Sequence, residues 1–256
     1  MLFDPTLVDR VYADPQHALA GLDLTSAECL YLVKMDKRRW QADALRSARS
    51  LHGLAMEFKV STHLYCRRYP LNTLMAFFQS QSFHGCIMSE SSLAVAFGVW
   101  LAHYVPDLSP MIALERTIAA RRRRHPHPGQ KAAWSLNDCV DVLDGPAGLL
   151  PHYDEIASRL SSDRSIFLAS LLSPTASNPP TLPWDSQETE GIIVDMNPEG
   201  GLGHGPPDLM VFLSKLRFGA SDTDVRAMLT GQGIESTDAM DVLNQLANDG
   251  LIVRRR

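Results

Sequence analysis

Histidine and cysteine residues stand close together at three places in the 256-residue chain, and these side chains could bind a metal ion. The three groups are His125-Pro126-His127, His84-Gly85-Cys86 and His63 with Cys66. A structural zinc site usually takes four ligands from two closely spaced pairs. None of the groups has a second pair at a suitable distance along the chain. We therefore predict no metal site, and we expect the histidines of the first group to be exposed in a solvated loop.

Motifs of common catalytic and phosphate-binding sites are also missing from the sequence. There is no His-Glu-x-x-His zinc motif and no Gly-x-Ser-x-Gly nucleophile motif. The glycine-rich segment 200–205 lacks the Lys-Ser/Thr pair of a phosphate-binding loop, so we interpret it as a flexible loop. The sequence thus predicts no catalytic residue and no cofactor in this chain.

The charged residues are distributed unevenly along the chain. Overall there are 24 basic and 29 acidic residues, for a net charge of -5. Residues 1–131 contain 16 basic and 11 acidic residues, whereas residues 132–256 contain 8 and 18. A composition with 45% hydrophobic and 21% charged residues excludes disordered, collagen-like and coiled-coil chains. The opposite charges suggest two units with different partners, and the lack of a strongly basic domain argues against nucleic acid as one of them.

The first ten residues, MLFDPTLVDR, contain Asp4 and no apolar region, so they do not have the pattern of a signal peptide. No stretch approaches the ~20 apolar residues needed to cross a bilayer. The four cysteines are spread along the chain without a Cys-x-x-Cys pair, which is typical of reduced thiols. We expect a cytoplasmic protein with no membrane partner.

The first half of the chain has the pattern of an all-helical domain. Thr25-Ser26-Ala27-Glu28 has the spacing of a capping box, which predicts a helix start at Ser26. Apolar residues then recur every three or four positions in four segments, 38–58, 70–78, 89–104 and 109–124. Prolines and a glycine at 126–129 end this pattern, since proline lacks an amide proton and clashes with the preceding turn. We place the domain boundary there, with one domain at 1–130 and a second at 131–256.

The second half combines strand and helix patterns. Three short apolar segments predict strands: Cys139–Leu143, Ile166–Leu172 and Gly191–Met196, the last two as a hairpin. Four segments predict helices: Tyr153–Leu160, Asp208–Leu216, Asp222–Thr230 and Thr237–Asn248, with Ser221 and Ser236 as N-caps of the last two. Leu251–Val253 follows as an extended segment. The predicted fold class is α+β, with an N-terminal all-helical domain followed by a winged helix-turn-helix-like domain.

A winged helix-turn-helix pattern commonly indicates a DNA-binding domain, but the charges of this one oppose that use. The recognition helix would be Thr237–Asn248, which carries Asp238 and Asp241 and no basic residue. Such a helix repels phosphates and cannot make arginine contacts to guanine. A winged-helix transcription regulator with a helical sensor domain remains the alternative hypothesis, and an independent metalloenzyme is a third.

From Gly191 onward three features follow in order: a strand that closes in VDMNP, a G-x-S-x-x-x-V pattern before the second helix, and L-x-x-L-x-x-x-G-L-I at the end. This order resembles the precursor-peptide recognition elements of ribosomal peptide biosynthesis. The resemblance implies that a leader peptide adds as a strand to a sheet edge and packs on the third helix. The implied edge is Ile192, Ile193, Val194, Asp195 and Met196, and the implied apolar floor is Met240, Leu243 and Ala247. The alternative for Leu243 is that it belongs to the core.

The first half contains Tyr65-x-x-x-Tyr69-Pro70 before an apolar helix, Trp100-Leu101-Ala102, and Glu115 ahead of a basic helix end. These features resemble the helical partner subunits of multinuclear non-heme iron-dependent oxidative enzymes, a group with members in the methanobactin and 3-thiaglutamate pathways. The resemblance implies a stoichiometric complex with a TIM-barrel enzyme that carries the iron. This chain would be a non-catalytic subunit that binds a ribosomally synthesised precursor peptide and presents its cysteine to that enzyme.

Two groups of side chains are candidates for contact with such an enzyme. They are Tyr65, Arg67, Arg68 and Tyr69, and the basic helix end with Arg121 and Arg122. Arginine and aromatic side chains are enriched among interface hot spots, which favours the first group. The second group would meet an acidic surface or a peptide carboxylate, since guanidinium binds carboxylate in a bidentate fork. The alternative for the basic residues is that they are solvated helix ends.

Overall fold

The structure, a computed structural model, describes residues 5–41, 45–89, 91–124, 127, 132–172, 185–235 and 237–255. Within those ranges the first half of the chain forms nine α-helices and two 3-10 helices. The α-helices are α1 (Pro5–Ala13), α2 (Pro15–Ala18), α3 (Ser26–Lys34), α4 (Lys37–Gln41), α5 (Arg46–Glu57), α6 (Lys59–Cys66), α7 (Gln81–Met88), α8 (Leu93–Tyr104) and α9 (Ser109–Arg122). The 3-10 helices are Leu71–Gln79 and Pro106–Leu108. The prediction of a helical first half is confirmed.

Helix α3 begins at Ser26, as its capping-box sequence predicts. Thr25 has an extended backbone, with φ -68° and ψ 157°, and its hydroxyl accepts a hydrogen bond from the Glu28 amide at 3.3 Å. Oε2 of Glu28 in return accepts one from the Thr25 amide at 2.7 Å. Two backbone amides that the helix itself cannot satisfy are paired in this way.

Helices α5 to α9 enclose a core of aromatic and aliphatic side chains. At its centre, the Phe97 ring of α8 packs edge-on against the rings of Phe58 and Phe77, with centroids 5.3 and 5.1 Å apart. The neighbouring Gly98 permits this approach, because a Cβ atom there would lie 2.8 Å from the Phe58 ring. Helix α8 buries Ala94, Phe97, Gly98 and Leu101, whereas Val99 and Tyr104 are exposed.

Glu115 is buried in this core and connects α9 to the start of α6. Its two carboxylate oxygens accept hydrogen bonds from the amides of Val60 and Ser61, at 2.8 and 2.9 Å. Helix α6 has no side-chain cap of its own, so this carboxylate takes the place of the cap and faces the positive end of the helix dipole. Burial raises the pKa of Glu115 to about 7, although the bonds from Ser61 and Val60 and the nearby Arg122 lower it.

The second half of the chain contains both strands and helices, which confirms the α+β class. The strands are β1 (Trp134–Leu136), β2 (Val140–Ala147), β3 (Asp185–Asp195), β4 (Leu202–His204) and β5 (Ile252–Arg254). The helices are α10 (Leu149–Arg159), α11 (Arg164–Leu172), α12 (Pro207–Leu216), α13 (Asp222–Gly231) and α14 (Ala239–Asn248). None of the helices in the described ranges combines the length and apolarity that a bilayer span requires.

The segment Ile166–Leu172, which the sequence predicts as a strand, belongs to helix α11. A short apolar run fits either a strand or a buried helix, so its periodicity does not decide between them. Asp163 provides the helix signal, because its Oδ1 accepts hydrogen bonds from the amides of Ser165 at 2.8 Å and Ile166 at 3.1 Å. The predicted hairpin between this segment and Gly191–Met196 is therefore wrong.

The strands form two antiparallel sheets, and β3 lies in the centre of the larger one. Strand β1 pairs with β5, while β3 lies between β2 and β4. Ile193 is opposite Val142 of β2 on one side and Gly203 of β4 on the other. The amides of Asp195 and Met196 are also bonded, to carbonyls on these two sides. The prediction that 192–196 is an open sheet edge is therefore wrong.

The glycine-rich segment 200–205 contains strand β4 and is not simply the predicted flexible loop. Gly191 and Gly205 face Met210 of α12 so closely that a Cβ atom on either glycine would lie 2.5 Å from the Met210 side chain. These glycines let α12 approach the sheet, a role that requires no phosphate ligand.

The larger sheet separates two hydrophobic cores. Ile192 and Val194 face the core of α5 to α9, which also includes Leu149 of α10 and Phe167 of α11. The other face, with Val142, packs against α12, α13, α14 and β5. One core therefore contains residues from both sides of position 130, and the domain boundary placed there stays a prediction.

The three helices predicted near the C-terminus are confirmed. The Ser221 hydroxyl accepts a hydrogen bond from the Asp224 amide at 3.2 Å, as expected for the N-cap of α13. The predicted cap Ser236 lies outside the described residues. Gly219 and Gly250 end α12 and α14, and each has a φ of 75°, in the left-handed region that favours glycine. The four cysteines are free thiols, as predicted.

Candidate functional site

A cleft of about 710 Å³ lies between helices α9 and α12, and strand β2 forms its floor. The α9 wall includes Arg116 and Arg121, and the α12 wall includes Met210 and Val211, with Arg217 directly after the helix. This volume is within the range of ~300–1,000 Å³ that is usual for ligand sites in proteins. The cleft therefore joins the basic half of the chain to the acidic half at one strand.

The floor of the cleft is the outer edge of β2. Among the residues that the structure describes, this strand pairs only with β3, on one side, so alternate residues direct their backbone N–H and C=O groups away from the sheet. The amide of Met196 donates to the carbonyl of Cys139, which identifies the odd-numbered residues of β2 as those bonded to β3. The outward residues are therefore Val140, Val142, Asp144 and Pro146.

At one end of this edge a buried histidine covers the Val140 carbonyl. Nε2 of His127 lies 2.9 Å from that carbonyl and 2.8 Å from Nη1 of Arg121. A carbonyl only accepts and a guanidinium only donates, so Nε2 can satisfy one of them at a time. Burial lowers the pKa of His127, although the bond to Val140 raises it, and the imidazole is therefore neutral at pH 7.

His127 is 4% exposed, so the prediction that it lies in a solvated loop is wrong. The other histidine of that motif, His125, lies outside the described residues. Local sequence could not show the burial of His127, because its contacts come from α9 and from a strand later in the chain.

In the middle of the edge, Arg217 covers the Val142 carbonyl. Nη2 of Arg217 donates both to this carbonyl and to Oδ1 of Asp141. The same carboxylate also meets α9, since its Oδ2 lies 3.5 Å from Nε of Arg121. One aspartate thus lies between two guanidinium groups and holds both walls of the cleft to its floor.

The other end of the edge is open. Asp144 is exposed, and its outward backbone groups make no hydrogen bond to another described residue. Pro146 has no amide proton, and proline within sheets is confined mainly to edge strands and bulges. Strand β2 is eight residues long, about 26 Å at 3.3 Å per residue. It is therefore long enough to pair with several residues of an extended chain.

The charged side chains of the cleft favour an anionic ligand. Three arginines line it, against the two carboxylates of Asp141 and Asp144. Burial lowers the pKa of Arg121 while Asp141 raises it, but an arginine stays protonated in proteins. Because Asp141 is already bonded to two of the arginines, the cleft can accept a further negative group.

The residues that the sequence assigned to peptide binding do not form an open groove. Ile192 and Val194 are completely buried in the core beneath the sheet. Leu243 is also completely buried, so it is a core residue rather than part of an accessible floor. Met240 and Ala247 are half-buried and pack against the same core as Leu243.

The residues of the first predicted partner-binding group differ in their exposure to solvent. Tyr65 is completely buried, and its hydroxyl lies 2.6 Å from Oγ1 of Thr73, so its assignment to an exposed interface is wrong. Arg67 and Tyr69 are exposed. Arg68 is bonded to Asp107 and is mostly buried.

The two arginines of the second predicted group also differ in exposure. Arg121 is buried in the ion pair with Asp141, so its prediction as a docking residue is wrong, whereas Arg122 is exposed. The sequence interpretation missed the roles of Asp141 and Arg217. Pro146 within the β2 pattern was the one available signal that this strand lies at an edge.

Comparisons of the chain with protein-family models, with curated proteins and with solved structures found no match. Within the described ranges, no three His, Cys, Asp or Glu side chains are grouped so as to hold a metal ion. The geometry of the cleft is therefore the basis for a functional proposal.

Proposed function

We propose that this chain binds an extended segment of a ribosomally synthesised precursor peptide in the cleft and presents it to a separate TIM-barrel enzyme that carries iron. In this proposal the chain is a non-catalytic partner subunit, and α12, α13 and α14 with β1 and β5 act as a winged-helix-like recognition unit. The observation that supports peptide binding most strongly is the outer edge of β2, which is long, lies in a cleft and is open at Asp144.

Strand addition is the binding mode that this edge favours. An extended peptide placed along β2 would pair with the outward groups of Asp144. It would also pair with those of Val142 once the Val142 amide leaves Oδ1 of Asp141 and the Val142 carbonyl leaves Arg217. Such backbone bonds supply affinity without regard to sequence. The site differs from the one implied by the resemblance, because the peptide would pair with β2 rather than with residues 192–196. The outward groups of Asp144 have no partner among the described residues, and an added strand would pair them.

The walls of the cleft can select among peptides. Alternate side chains of an added strand point to opposite faces, so one set would meet Met210 and Val211 of α12, and the other would meet Ala113 and Arg116 of α9. The first wall offers apolar contact and the second offers a cation. An extended peptide with apolar and acidic residues in alternation fits these walls best.

Docking on the iron enzyme is proposed from the sequence resemblance and from an exposed aromatic surface on the helical half. Tyr69 and Tyr104 are 47% and 50% exposed, and Tyr104 stacks on Trp100 with ring centroids 5.0 Å apart. Arg67 is also exposed, and it lines a separate cleft with His152 and Glu155 of α10. Aromatic and arginine side chains of this kind commonly contribute most of the binding energy at protein interfaces.

Peptide binding is tested with a random dodecapeptide library displayed on phage and selected on the full chain. The best selected peptide is then labelled, and its dissociation constant is measured by fluorescence anisotropy. Asp144→Pro removes an outward amide of β2 without touching the bonds to β3, and its ring occupies the space of the peptide carbonyl that would accept from that amide. We expect the variant to weaken binding about 100-fold, since the peptide loses this bond and the one or two backbone hydrogen bonds next to it. Asp144→Ala is the matched control and should bind within about threefold of the native chain.

Two results would contradict the peptide-binding proposal. One is that no peptide is selected by the full chain. The other is that Asp144→Pro binds the selected peptide as tightly as Asp144→Ala does, because the peptide would then lie elsewhere.

The proposed partner is tested separately by affinity capture of the tagged full chain from its native cells. Mass spectrometry and iron analysis are expected to find a TIM-barrel protein with bound iron and a short cysteine-containing peptide. Recovery of neither would count against the role as a partner subunit, even where the chain binds peptides.

A further inference from the structure

The Arg217 guanidinium occupies the position on the β2 edge that an added strand would need. Its Nη2 donates to the outward carbonyl of Val142, which is the acceptor for an amide of a paired strand. A peptide could therefore pair with this part of β2 only after the guanidinium moves. Arg217 therefore blocks part of the β2 edge to which the peptide is proposed to bind.

Arg217 is more exposed than the other arginine that shares the Asp141 carboxylate. The Arg121 side chain is 8% exposed and also contacts His127, whereas the Arg217 side chain is 33% exposed. Nε of Arg217 is buried and makes no hydrogen bond to a described residue. A side chain at the end of a helix, partly exposed and with an unused donor, can move to a second acceptor at lower cost than a buried one.

We propose that Arg217 is a latch that an acidic side chain of the peptide opens. A glutamate or aspartate of the incoming strand takes the guanidinium in a bidentate pair, and the Val142 carbonyl becomes free to accept a peptide amide. The inference rests on the proposed peptide-binding function and adds the requirement for an acidic residue. A neutral peptide would have to displace Arg217 without supplying a new partner for it.

The charges around the latch support this exchange. Asp141 stays bonded to Arg121 when Arg217 leaves, so the aspartate is not left without a cation. Arg116 lines the opposite wall and would add to the attraction of a carboxylate. His127 is neutral, and Asp144 at the open end is exposed to solvent, where its repulsion is screened.

The experiment uses the full chain and the peptide selected from the random dodecapeptide library. An acidic residue is expected to be enriched at one position of the selected sequences. Exchange of that residue, glutamate to glutamine, is expected to weaken binding by about tenfold to 100-fold, as for the loss of a hydrogen bond between charged groups. Arg217→Gln is expected to remove this preference in two ways. It should weaken the acidic peptide, which loses its charged partner, and tighten the neutral peptide, which no longer has to displace a guanidinium.

Lys215→Gln is the matched control. Lys215 is an exposed cation in the last turn of α12, two residues before Arg217, and it does not line the cleft. It should leave the affinities for both peptides unchanged. Arg217→Lys keeps the charge without the bidentate fork and should show an intermediate preference. This variant also decides the matter if Arg217→Gln does not fold, as checked by circular dichroism.

Equal binding of the acidic and neutral peptides by the native chain would overturn the latch. Full retention of the preference in both Arg217 variants would overturn it too. In either case the weak binding of Asp144→Pro would still support peptide binding at β2. Failure of the latch is therefore distinguishable from failure of the peptide-binding proposal. A library that yields no peptide would overturn both proposals.

Discussion

The two outer strands of the larger sheet protect their edges in different ways. Strand β4 has three residues, so it offers little backbone to another chain. Strand β2 has eight, and its outward carbonyls at Val140 and Val142 are covered by His127 and Arg217. A short edge cannot be lengthened, whereas a covering side chain can move. Of these two edges, the one that a ligand could uncover is that of β2, which lies in the cleft.

The largest effect is expected from removing the carboxylate that holds the β2 edge together. Asp141→Asn keeps the shape of the side chain but leaves Arg121 and Arg217 without their shared anion. The Asp141 side chain is 14% exposed, and breaking such a buried pair should lower the free energy of unfolding by about 3 kcal/mol. Urea denaturation followed by circular dichroism measures this change.

A surface ion pair provides the control for that measurement. On α10, Nη2 of Arg159 lies 2.7 Å from Oε1 of Glu155, and the two side chains are 74% and 52% exposed. Arg159→Gln should lower the free energy of unfolding by less than about 0.5 kcal/mol. Equal losses in the two variants would show that Asp141 is not the central contact of the cleft.

A proline on each outer strand tests the difference between the two edges directly. His204→Pro removes an outward amide from β4, just as Asp144→Pro does from β2. We expect the β4 variant to bind the selected peptide within about twofold of the native chain, against the roughly 100-fold loss for the β2 variant. Comparable losses in the fluorescence assay would mean that β4 also pairs with the peptide.

Helix α9, which forms one wall of the cleft, is held to α6 by Glu115, whose pKa burial raises to about 7 from an ordinary value of 4.5. The folded chain then holds this proton more tightly than the unfolded chain, so the contribution of Glu115 to stability is fully present below pH 4.5 and is lost as the pH rises through 7. Relative to Glu115→Gln, the native chain should lose about 1–3 kcal/mol between pH 5 and pH 8.

Urea denaturation of both proteins at several pH values measures that difference. A native chain that gains stability relative to Glu115→Gln as the pH rises would be the opposite result. It would mean that the two amides of Val60 and Ser61 favour the ionised carboxylate more than burial opposes it.

The smallest effect is expected from the charge at the open end of β2. Asp144→Ala removes an exposed carboxylate from the cleft, so an acidic peptide should bind about twofold more tightly at low salt. The gain should disappear at high ionic strength, because exposed charges are screened. An unchanged affinity at low salt would place the acidic side chain far from Asp144.

Local signals in the sequence predicted much of the secondary structure. The capping box at Thr25 and the cap at Ser221 gave correct helix starts, because each depends on residues within one turn. The helical spacing at 38–58 did not separate α4 from α5, and the segment from Pro70 forms a 3-10 helix. The strand patterns at Cys139–Leu143 and Gly191–Met196 were also correct. Ile166–Leu172 was wrong because apolar content alone does not distinguish a strand from a buried helix, and the cap at Asp163 was overlooked.

The candidate site could not be predicted in the same way, since it depends on contacts between distant parts of the chain. Nothing near Gly191–Met196 shows that β2 and β4 cover both sides of that strand. The pairing of Asp141 with Arg217 joins residues 76 positions apart. The sequence predicts a loop position for His127, which stands between two prolines, because it does not show that the Val140 carbonyl lies beside this side chain.

Hydrogen exchange of the full chain with and without the selected peptide is the most direct test of the proposed site. The outward amide of Asp144 is open, so bound peptide should slow exchange in the segment 140–147 and leave 202–204 and 239–248 unchanged. Mass spectrometry of proteolytic fragments resolves these segments. Protection of α14 or β4 without protection of β2 would contradict the account, because the peptide would then bind outside the cleft.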